Sequence, residues 1–124
     1  MWDALLWIYL VNATLLITHE IDSAYWREWE LFRLPGGIAG FLVMHLPLVF
    51  LILWGAVLTA QQSSGGLLLS AALGLSGIVA FALHVTFILW GRTEFKTFPS
   101  LLLLCATLAV SVIQSALVAY VMTA

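Results

Sequence analysis

Residues 65–91 read GGLLLSAALGLSGIVAFALHVTFILWG, and no Asp, Glu, Lys or Arg interrupts them. A helix that crosses a bilayer needs about 20 consecutive, mostly apolar residues, so this stretch by itself predicts a span. Two uncharged stretches of similar length flank it, at residues 38–60 and 98–124. The composition of the whole chain agrees with them. Of 124 residues only 4 are Lys or Arg and 6 Asp or Glu, and 64% are hydrophobic; mean hydropathy is +1.13. A soluble domain usually carries about 25% charged residues, and a small one buries only about two-thirds of what its unfolded chain exposes. A soluble enzyme and a disordered tail are therefore excluded. The formal charge of −2 leaves no basic footprint for nucleic acid. The single cysteine, Cys105, cannot form an internal disulfide.

The N-terminal segment is a less obvious span. Residues 4–18 are apolar but short, and the chain continues as His19-Glu20-Ile21-Asp22-Ser23-Ala24-Tyr25-Trp26-Arg27. Tyr and Trp concentrate at membrane interfaces, so Tyr25, Trp26 and Trp29 mark where this helix leaves the lipid. It then carries His19, Glu20 and Asp22 below the interface. It lacks the basic region and small-residue cleavage site of a secretory signal. The sequon Asn12-Ala13-Thr14 falls inside this span, out of reach of glycosylation.

Connections are short. Pro35-Gly36-Gly37 ends the first, Gln61-Gln62-Ser63-Ser64 makes the second, and residues 92–97 the third, with Pro99 suited to a first helical turn. The expectation is one all-α domain: an integral membrane, up-down-up-down four-helix bundle with helices at about 2–26, 38–60, 65–91 and 98–123. Arg27 and Arg33 lie in the first connection, Arg92 and Lys96 in the third, and none elsewhere. The positive-inside rule puts connections 1–2 and 3–4 in the cytoplasm and both termini outside.

All three histidines then share one depth. His45 is seven residues into its helix, His84 seven from the end of the next, and His19 seven before Trp26. At the helical rise each lies about 10 Å below the same face. Asn12, His19 and Ser23 form one stripe of the first helix, with Asp22 at its border. Gly77, Ala80, His84 and Gly91 share a face that lets a helix or a flat cofactor approach. Ser100, Thr107, Ser111 and Gln114 line the last helix. Pro47, two residues beyond His45, removes a backbone donor near that histidine.

Ionisable residues inside a span are costly and usually face inward with partners. Three imidazoles and a carboxylate at one level form the ligand set of a divalent transition metal, zinc or iron first. The expected ligands are His19, Asp22, His45 and His84, with Glu20 the general acid/base. Glu28, Glu30, Arg27 and Arg33 read as a solvated face, and Cys105 as an inert buried thiol.

The stretch HEIDSAYWREWELFRLPGG, residues 19–37, together with His45, resembles an uncharacterised group of small bacterial four-helix membrane proteins. That group carries a His-Glu-Ile-Asp-Ser motif at the end of helix 1 and a Leu-Pro-Gly-Gly connector. The resemblance implies a bacterial inner-membrane protein and supplies no activity.

Three functions stay open on this reading. The first is a metal-dependent enzyme acting on a lipid-soluble small molecule, through an activated water or the ion as Lewis acid. The second is electron transfer through haem b held by His45 and His84. The third is a non-catalytic accessory subunit of a larger membrane complex, or a homo-oligomer. A proton-coupled carrier using His19 and Asp22 ranks below these.

Overall fold

The computed structural model describes residues 1–94 and 96–124. Among the described residues there are four long helices and one short one: α1 (Trp2–Tyr25), α2 (Glu28–Leu31), α3 (Gly37–Ala60), α4 (Ser64–Leu89) and α5 (Phe98–Thr123). The four long helices are each long and apolar enough to cross a membrane.

Local chemistry sets the helix ends. Ser63 caps α4, its hydroxyl accepting from the Gly66 amide at 3.1 Å. Thr97 caps α5 in the same way through Ser100, with Pro99 in the first turn. Between α1 and α3 the chain reverses at Arg27, which sits in the left-handed region at φ 56°. The short α2 follows, a turn of helix where the sequence suggested only a connection. Gly36, at φ 92°, then starts α3, a backbone angle that glycine adopts without steric cost. α3 continues through Pro47 without a break.

Each long helix has two principal neighbours: α1 packs on α3 and α5, and α4 on the same pair, while α1 also meets α4 across the centre. Small residues set the close approaches. A Cβ on Gly77 would strike the Ser111 hydroxyl and Thr107, and one on Gly55 would strike the Tyr9 ring. The Tyr9 hydroxyl donates to the Ile52 carbonyl of α3 at 2.7 Å.

Polarity is distributed inside out relative to a soluble bundle. Asn12, Ser70, Ser111 and Gln114 are fully buried, whereas Leu46, Leu68 and Met122 expose more than two-thirds of their surface. The Asn12 amide donates to Ser111 Oγ at 3.1 Å and to Gln114 Oε1 at 2.7 Å. Gln114 Nε2 donates in turn to the Ser70 carbonyl and hydroxyl, both at 2.9 Å. This network ties α1, α5 and α4 together at mid-height. Cys105, expected to be buried, is exposed on the outer side of α5.

Candidate metal centre

Above that network the inward stripe of α1 continues to His19 and Ser23, both buried. From α4, His84 meets that stripe at His19. His84 Nδ1 donates to the Ala80 carbonyl one turn back at 2.6 Å. A ring nitrogen that donates to a carbonyl carries the proton, so this bond fixes the tautomer and aims Nε2 away from the helix. The His19 and His84 rings meet edge to face, centroids 4.6 Å apart.

The third member comes from α2. The reversal at Arg27 folds Glu28 back under the bundle, where its side chain is only 12% exposed and its Oε1 lies 3.3 Å from His84 Nε2. Trp29, buried beside it, packs on Phe41 of α3 with ring centroids 5.5 Å apart and holds the short helix down. Burial alone would raise the Glu28 carboxyl. The neighbouring His84 imidazole and Ser23 hydroxyl, with His19 beside them, outweigh it and hold the group below its ordinary value.

Each of His19, Glu28 and His84 offers one ligand atom, and these atoms lie within 4.8 Å of one another. Tetrahedral ligands at about 2.1 Å from an ion stand about 3.4 Å apart. The His84–Glu28 separation of 3.3 Å already has that spacing, and the remaining edges, within 4.8 Å, need closure of at most about 1.4 Å. Two imidazoles and one carboxylate leave at least one coordination position open, as catalytic zinc sites and non-haem iron sites do.

The other residues singled out from sequence stand elsewhere. His45 anchors its Nδ1 proton on the Phe41 carbonyl at 2.7 Å. Its Nε2 lies 2.6 Å from Glu20 Oε2, and neither residue belongs to the three-residue group. The Phe41 ring stacks on this imidazole at 3.9 Å. Asp22 accepts from Trp26 Nε1 at 3.1 Å and also stays outside the group. Thus the structure joins His19 and His84, sets His45 with Glu20, and brings in Glu28. Nothing in the helical periodicity of α1 pointed to Glu28, because it is reached only through the left-handed turn at Arg27.

A cleft of about 700 Å³ opens between α1, α2 and α3, with Glu20, Glu28 and His45 among its walls and Pro47 at its rim. On the far side of Glu20 a narrower apolar cavity of about 160 Å³ runs toward Tyr9 and Leu73.

Residues 5–121 match the model of a Family of unknown function (DUF6713). The chain belongs to that family. No curated protein and no solved structure matches it. The DUF6713 match covers nearly all of the four long helices and every residue of the candidate centre.

Proposed function

We propose that this chain is a four-span, up-down-up-down membrane protein of the bacterial inner membrane that binds a divalent transition metal, zinc or iron, through His19, His84 and Glu28. The observation that carries the reading is the convergence of three ligand atoms within 4.8 Å in a buried layer, with His84 already oriented by its own helix. Buried imidazoles and carboxylates in an apolar bundle are expensive, and a cation offsets that cost by neutralising the carboxylate and using the lone pairs. The apolar exterior and polar interior support insertion in lipid. Arg27, Arg33, Arg92 and Lys96 support placing the metal layer near the cytoplasmic side, with both termini outside.

When bound, the ion supplies Lewis-acid chemistry at its open position. The chain's own contribution is a cleft that admits a lipid-soluble molecule alongside Glu28, with the Glu20–His45 pair on the same wall. The haem reading is less well supported, because α5 fills the small-residue face of α4 through Ser111 and Thr107. An accessory role in a larger complex leaves the ligand convergence without a use.

Detergent-purified protein loaded with zinc or iron should hold about one ion per chain. The His84→Ala variant should hold less than a tenth of that. Equal metal in both, in folded protein, would overturn the assignment.

A further inference from the structure

We infer that the Glu20–His45 pair is the head-group site for a hydroxyl-bearing, single-chain amphiphile, the first carbons of whose hydrocarbon chain lie in the apolar cavity beyond Glu20 while the rest runs out along the lipid-facing side of α3. This deepens the metal reading by naming a substrate class. It rests on that reading only for the chemistry that follows binding.

Two cavities share Glu20, Leu48 and Leu51 in their walls and so adjoin at Glu20; we take them as the two arms of one bent passage. Its wide arm carries the ionisable groups. Its narrow arm is lined by Leu16, Ile52, Leu69 and Leu73, with only the edges of Tyr9 and Ser76 polar. Polar at one end, apolar at the other and bent at a carboxylate, the passage has the shape of an amphiphile. Its mouth is lateral: Met44, Leu48 and Leu51 are 41–47% exposed on the outer surface of α3, the surface that lipid would cover. A molecule dissolved in the bilayer reaches the site without crossing water.

The chemistry of the pair selects the head group. His45 Nδ1 is committed to the Phe41 carbonyl, so Nε2 and Glu20 face each other at 2.6 Å with a proton between them. Parted to admit a ligand, they present one donor and one acceptor, which a hydroxyl inserted between them satisfies in both directions and an ammonium, a donor only, cannot. Glu28, the other carboxylate of the wide arm, is engaged by His84. A hydroxyl bound at Glu20 therefore lies in the same chamber as the candidate metal ligand.

The test uses the full chain in phosphatidylcholine nanodiscs with two probes: a photoactivatable hexadecanol and the matched photoactivatable hexadecane. Cross-links are mapped by mass spectrometry, and metal content is measured on the same samples. The alcohol should label residues around Leu48, Leu51 and Leu73 about tenfold more than the hydrocarbon does, the size expected for one or two net hydrogen bonds. Replacing Glu20 and His45 together by Leu should remove that preference. In case this double variant misfolds, Leu48→Trp keeps the polar pair and blocks the passage; it should lose labelling at Leu73. Equal labelling by both probes, or alcohol labelling spread evenly over outward leucines such as Leu53, Leu68 and Leu102, would overturn the inference. Lost selectivity with metal retained refutes this site alone. Selective labelling without metal refutes the metal centre alone.

Discussion

Two polar layers are buried in this bundle, and each is shared by three helices. In the Asn12–Ser111–Gln114–Ser70 layer every group is a neutral amide or hydroxyl, and donors meet acceptors at 2.7–3.2 Å. Its donors and acceptors are paired within the network, so it can hold helices together but offers no imidazole or carboxylate to a cation. The His19–His84–Glu28 layer is built of titratable groups whose ligand atoms converge on one point. Burial and polarity are common to both, and they do not mark function. The difference lies in convergence of groups able to bind a cation, and that depends on the turn at Arg27 as much as on residue type.

Substitutions can separate the two layers. The largest effect is expected from replacing both His19 and His84 by Ala: metal affinity should fall at least a hundredfold, about 2.7 kcal/mol, while helix content by circular dichroism stays unchanged. Next is Gly77→Val, which forces side-chain atoms into Ser111 and Thr107. Overpacking of this kind costs about 1–3 kcal/mol, to be read as a lowered unfolding midpoint in detergent. The fraction that remains folded should keep its metal.

Asn12→Leu should cost about 1 kcal/mol, the scale of interhelical hydrogen bonds in membranes, and leave metal content intact. A drop in metal with this variant would mean that the two layers are not separate. The smallest effect is a pH dependence in apo protein. The Glu28 carboxyl is held below its ordinary value by His84 and Ser23 against its own burial. Its stabilising contribution is therefore present above the ordinary carboxylate pKa and lost as pH falls through the lowered folded value. The stability gap between wild type and Glu28→Gln, measured by thermal unfolding, should close over that acidic range.

Much of the fold was legible in the residues. The uncharged run at 65–91 and its neighbours announce long apolar helices, and the Asn12–His19–Ser23 stripe was readable as an inward face because helical geometry fixes it. The shared depth of His19 and His84 followed from counting residues. What counting could not supply was lateral position. His45 is at the same level by rise, yet its Nε2 points to Glu20. Glu28 looked like part of a solvated connection because Arg27, Glu30 and Arg33 surround it, and those three are indeed exposed. A left-handed residue reverses the chain without any hydrophobic period to announce it. Trp29 was the available clue, since a tryptophan between two glutamates has reason to pack inward and take its neighbour with it.

The account turns on Glu28, the ligand that comes from the connection and not from a span. The most direct measurement is a competitive zinc titration of wild type, Glu28→Ala and His45→Leu proteins side by side, each checked for fold by circular dichroism. The account predicts that Glu28→Ala loses tight binding while His45→Leu retains about one ion per chain. Loss of the ion in His45→Leu with full retention in Glu28→Ala would contradict it and move the metal to the Glu20–His45 pair.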